Sequence, residues 1–296
     1  MLFLFFLFKD KNETWQNIEN MDKNFKKIKG FKDWYKNINQ SQGLCLTDDL
    51  DSLLSCIVLQ KMFNIHILGF CNFNKLYLTN TYKKEKLIGV DYDLFKGKCF
   101  GNHVVFFDNP DSINLNKNIT MPNYYKKFAG STLITILSLY KVNLDNLNDL
   151  QLKLLLCVDS AFKQHEFNED LFKYYYKDVL KYPEFVDIAK NTSQGEFQQL
   201  QEKFNLLKKI YVNSNGKLFT QIKLDKLSQV FNIDLKLPTE NFKMCKMFDN
   251  SRLTFEELEQ LAKNKIQVIS SAIVSKNRIK LSTVLNSLDF KKENMI

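Results

Sequence analysis

The stretch Leu46-Thr47-Asp48-Asp49-Leu50-Asp51-Ser52-Leu53-Leu54-Ser55-Cys56 puts three aspartates within four positions, between two apolar runs of different period. Ahead of it, residues 43–46 form an apolar run of strand length. Behind it, Leu53, Leu54, Ile57, Val58 and Met62 recur at helical intervals up to Phe63. The aspartates therefore occupy a strand-to-helix turn, where open α/β sheets bind their ligands. Carboxylates gathered in one place repel and raise one another's pKa values, so a partner of positive charge is expected there.

Working outward, the apolar runs 65–70, 76–78, 87–90 and 104–107 read as strands, and 130–140 and 150–158 as buried helices. This alternation predicts an α/β fold with a mostly parallel, doubly wound sheet through about residue 165. Helical patterns continue at 170–181 and 196–209. Thr254 with Glu257 forms a capping box that opens a short helix, and 266–274 with 279–284 reads as a hairpin turning at Lys276 and Asn277. The chain thus divides into a helical N-terminal extension (1–40), an α/β domain (41–190), and a helical linker with a small α+β C-terminal appendage (191–296). Within the extension, Phe25, Ile28, Phe31, Trp34 and Tyr35 fall at helical spacing among solvent-facing lysines. The opening MLFLFFLF lacks a basic leader and a cleavage site and is too short to span a membrane; it reads as a buried strand or as an extension ahead of a start at Met21.

With 45% hydrophobic and 14% aromatic residues the chain can bury a sizeable core, and its 9 glycines and 4 prolines argue against long flexible linkers or a turn-dense all-β design. The formal charge of +9 suits a phosphate-bearing partner, although the abundance of Lys, Asn, Ile and Phe also follows from A/T-rich codons. Six scattered cysteines without a CxxC pair fit a reducing, cytoplasmic setting. Among sites of known pattern, no Gly-rich phosphate loop, GxSxG or HExxH occurs, which disfavours a nucleoside triphosphatase, a serine hydrolase or a zincin.

Further acids and one histidine stand at element ends: Asp91 and Asp93 in GVDYD, His103 in FGNHVV and Asp159 in LCVDSAF. Together with Asp49 and Asp51 they form a hard-oxygen and imidazole set suited to Mn²⁺, Mg²⁺ or Zn²⁺. Each taken singly is equally at home as a helix cap or turn residue. His66 reads as a strand or core histidine and His165 as a surface residue. Tyr174, Tyr175 and Tyr176 lie between lysines, but consecutive helical positions point in different directions, so they read as packing residues rather than one base-stacking face.

In order and spacing, Asp49-Leu50-Asp51, Asp91, Gly101-Asn102-His103, Gly130-Ser131-Thr132 and Asp159 resemble the DHH phosphoesterase superfamily of RecJ-like exonucleases, oligoribonucleases, cyclic dinucleotide phosphodiesterases and pyrophosphatases. The resemblance covers residues 43–165. It implies a metal-dependent phosphodiesterase or nuclease acting on single-stranded nucleic acid or short oligonucleotides, with Asp51, Asp91, His103 and Asp159 holding a divalent metal, Mn²⁺ or Mg²⁺, and Asp49 completing the site. Where the family carries further histidines this chain has Thr47 and Asn102, so one metal is expected rather than two. The C-terminal part carries no glycine-rich GGGH-like motif. The same departures fit a second reading, a catalytically degenerate scaffold that binds a nucleotide, nucleic acid or protein partner.

Overall fold

A computed structural model describes residues 31–262, 267–275 and 277–284 of the chain. The expected strand at the extreme N-terminus and most of the expected N-terminal helix lie outside these residues. The first described element is a single turn of 3₁₀ helix, Asp33–Asn37. Phe31, Tyr35 and Ile38 are buried in the main core, and the Tyr140 hydroxyl donates to the Tyr35 carbonyl at 2.9 Å.

The aspartate turn and its two flanking elements fold as expected. β1 (Gln42–Leu46) ends at the aspartates and α1 (Leu50–Phe63) begins behind them, with Asp49 as N-cap accepting from the Ser52 amide at 3.2 Å. Residues alternate along β1, so Leu44 and Leu46 face the helical core while Cys45 faces the opposite side of the sheet. α1 is buried nearly all round rather than on one stripe, because α2 (Thr132–Leu139) packs against it as well as the sheet does.

The sheet has nine strands in the order β10-β11-β9-β3-β2-β1-β4-β5-β6. The parallel expectation holds for β2 (Ile67–Cys71), β1, β4 (Lys86–Val90), β5 (Cys99–Gly101) and β6 (Ser112–Asn114). It fails for β3 (Lys75–Thr79), which comes after β2 with only residues 72–74 between them. A parallel return needs a crossover of a dozen or more residues, and a link this short forces an antiparallel pair. The sheet as a whole is therefore mixed. The apolar run 104–107 is not a strand; the strand there is the shorter β5, just upstream.

The hairpin of β10 (Val268–Ser275) and β11 (Arg278–Val284) forms as expected, but it is no separate appendage. It continues the main sheet through the long β9 (Phe242–Leu253), which pairs with both β11 and β3. The sheet then curls until β10, its far edge, meets the segments leaving β4 and β5: Phe95 donates to the Ile269 carbonyl at 2.8 Å and Ile273 to the Val104 carbonyl at 2.7 Å. A second interior results, walled by Cys45, Cys71, Tyr92 and Phe248 and distinct from the helical core.

The remaining chain is helical, with a two-stranded ribbon of β7 (Ile210–Val212) and β8 (Leu218–Thr220). Tyr175 and Tyr176 are buried and Tyr174 is exposed, as their helical positions require. His66 is exposed rather than in the core, and His165 is half-buried, edge-on to Phe172. Among the described residues no helix is long and apolar enough to cross a membrane.

Candidate active site

Four elements deliver the predicted residues to one place, the C-terminal end of the parallel strands. Asp49 comes from the turn after β1, Asp91 and Asp93 from the turn after β4, His103 from the segment after β5, and Asp159 from the turn that ends α3 (Asp149–Cys157). Ser52 binds the strand ends together, its hydroxyl donating to the Val90 carbonyl at 2.7 Å and accepting from the Thr47 amide at 2.8 Å. Asp91 and Asp159 both lie in the left-handed region, at φ 53°. Aspartate tolerates that conformation better than most residues, and such backbone concentrates at functional sites.

Asp49, Asp91, Asp93, His103 and Asp159 line a cleft of about 260 Å³. Asp51 comes to the same cluster but sits behind the cleft with both oxygens occupied. Its carboxylate accepts the Thr132 amide at 2.7 Å and the Leu133 amide at 2.8 Å, capping the N-terminus of α2. Asp91 accepts the Thr132 hydroxyl at 2.7 Å. Asn102, buried at the centre, donates to Asp159 at 2.7 Å and to the Gly130 carbonyl at 3.0 Å.

Asp93 positions His103. Its Oδ2 lies 2.9 Å from His103 Nδ1, which leaves Nε2 as the working nitrogen. Asn114 holds Asp93 at 2.7 Å and the His103 carbonyl at 2.8 Å. Gly101 makes room for this arrangement: a Cβ there would stand 1.9 Å from the Asp93 carboxylate. Asn114 and the buried Asn116, which ties Asn102 to Phe128, belong to no motif that would single them out in the sequence.

Burial, then the charges of Asp91, Asp159 and Asp49, hold Asp51 well above the usual carboxylate range. Asp91 is raised in the same way by burial and by Asp49 and Asp159, and Asp159 by burial and Asp49. For His103 burial alone acts downward, but the hydrogen bond and charge of Asp93, then Asp91 and Asp159, prevail and bring the ring up to about 9. Its side chain is packed among these acids yet 43% exposed, because one face opens to the cleft.

The opposite wall is basic, with serines beside the cations, and no local sequence pattern marks it. Arg252 from β9, Lys280 and Ser282 from β11, and Ser270 and Ser271 from β10 face the acids. Lys280 lies over the Phe73 ring at 4.0 Å, and burial lowers its pKa. Lys209, expected from the sequence to be the last residue of a helix, stands beyond the actual helix end at Phe204. Its ammonium meets Asp48 at 2.9 Å and Asp49 at 3.2 Å.

The donor set fits a hard divalent ion in kind. Asp91 and Asp159 each keep one oxygen without a hydrogen bond among the described residues, His103 keeps Nε2, and the buried Asn102 Oδ1 has no partner among them. Among the described residues, however, no group of three or more His, Cys, Asp or Glu stands in metal-holding geometry. Compared with known proteins, the chain matches no family model, no curated protein and no solved structure.

Proposed function

We propose that the protein is a metal-dependent phosphodiesterase acting on single-stranded nucleic acid or short oligonucleotides. The observation that carries this reading is the pairing of two unlike walls across one cleft: Asp91, Asp159 and His103 on one side, Arg252 and Lys280 on the other. A phosphodiester requires both, a cation-holding wall for the reacting centre and a donor wall for its oxygens. The resemblance of the acidic residues to DHH phosphoesterases supports the same reading.

On this reading, Asp91, Asp159 and the Nε2 of His103, its proton displaced, would hold one divalent ion, Mn²⁺ or Mg²⁺, while Asp49, whose two oxygens accept the Ser52 amide and Lys209, stands beside it. When bound, such an ion would supply the Lewis acidity that phosphodiester hydrolysis needs. Asp93 keeps His103 in one tautomer and orientation. Asp51 acts from behind, fixing α2 and, through Thr132, the position of Asp91. Arg252 and Lys280 bind phosphate oxygens of the substrate and hold it in the cleft. Lys209 already neutralises Asp49, which favours one ion over two.

The assay that tests this is release of nucleotides from a 5′-labelled single-stranded oligonucleotide in Mn²⁺, for wild type and His103→Ala. Turnover by wild type alone, lost on chelation, is expected. Oligonucleotide binding without turnover would instead favour the second reading, a non-catalytic scaffold, which draws on the lack of metal-holding geometry among the described residues and on Lys209 seated against Asp49.

A further inference from the structure

The curled sheet borders a second cavity, half-open and of about 450 Å³, beside the acid cleft. Successive residues of three elements divide between the two spaces. On the β4 side Leu87 and Gly89 line this cavity and Asp91 the acid cleft; on β10 Val268 and Ile269 line it and Ser270 to Ala272 the cleft; on β9 the split falls between Phe248 and Arg252. Tyr92 is the partition, its hydroxyl 3.4 Å from Cys71 Sγ and its ring edge-to-face with Phe73 at 5.5 Å.

The lining changes with depth. Inside are Leu76, Leu87, Tyr92, Phe248 and Ile269, while the exposed rim carries Lys96, Lys246 and Gln267. Among the described residues neither lysine has an ion pair, and Lys246 has only the Phe248 ring near its ammonium, at 5.9 Å. Protein interiors are close-packed, and a space of this size falls in the range of small-molecule sites. An apolar chamber with a cationic rim selects a molecule with an apolar body and a single anionic end.

We infer that this cavity binds a small single-chain amphiphile with an anionic head, its chain against Leu76, Leu87 and Phe248 and its head at the rim with Lys96 and Lys246. The inference stands on this cavity alone and does not rest on the chemistry proposed for the acid cleft. Titration calorimetry of the full chain with decanoate, below its critical micelle concentration, tests it. Saturable one-to-one binding is expected for wild type, about tenfold weaker in Lys96→Ala/Lys246→Ala and about tenfold weaker for decanol than for decanoate. Leu76→Trp, which fills the chamber, should abolish binding. Absence of saturable binding to wild type overturns the inference, as does equal binding by wild type and the double lysine variant. Because Lys96 and Lys246 are exposed and without salt bridges among the described residues, the double variant keeps the fold and the comparison remains decisive.

Discussion

Asp51 and His103 show how much the role of a site residue depends on what its atoms already touch. Asp51 sits at the centre of the cluster, yet both oxygens serve the backbone of α2. Its removal leaves two buried amides without acceptors and relieves carboxylate repulsion; the first effect outweighs the second at about 1–3 kcal/mol per orphaned group. Asp51→Ala should therefore lower the unfolding free energy by about 2 kcal/mol, read as a shift in urea midpoint. A stabilised variant would mean that repulsion governs the site. His103 is raised from an ordinary 6.5 to about 9, so its charged form favours the folded state. That contribution is complete below the ordinary value and is lost as pH rises through about 9. The raised Asp51, Asp91 and Asp159 act with the same sign, since the folded state binds protons that the unfolded chain releases. Thermal stability should then decline as pH rises above the ordinary carboxylate value of 3.8, and His103→Gln should flatten the part of the decline between about 6.5 and about 9. An unchanged slope in that variant would remove His103 as its source.

At the scale of elements, β1, the aspartate turn and α1 are legible because an apolar strand, a cap residue and a helical period occur in immediate succession. The capping box of Thr254 and Glu257 is likewise local, and both of its bonds form, at 2.6 and 3.2 Å. The donor wall is not legible in this way. Arg252 and Lys280 reach the acids only because β9 and β11 are neighbours in a sheet that curls, and strand order is a long-range property that no local pattern encodes. Asn114 and Asn116 are hidden in the sequence for a related reason, since their value lies in partners far off along the chain. If this wall binds phosphate oxygens, Arg252→Ala should raise KM for an oligonucleotide about tenfold while changing kcat by less than about threefold. A fall in kcat alone would assign Arg252 to the reacting centre instead, and no change in either would remove it from the site.

For the whole molecule, the decisive feature is that one sheet serves two purposes. Its parallel half presents the strand ends that carry Asp49, Asp91 and His103, and its antiparallel half returns over them with the cations Arg252 and Lys280. The expected division at residue 190 therefore cuts through a continuous sheet, because β9 bonds directly to β3. The carboxylates Asp91 and Asp159 face this cleft with raised pKa values and unfilled oxygens, a state that a divalent ion relieves. The most direct test is Mn²⁺ titration by calorimetry on wild type and Asp91→Asn at neutral pH. Saturable binding by wild type, weakened at least about tenfold in the variant, is the predicted result. Negligible heat in both proteins, or equal binding by both, would contradict the metal-dependent account of the cleft.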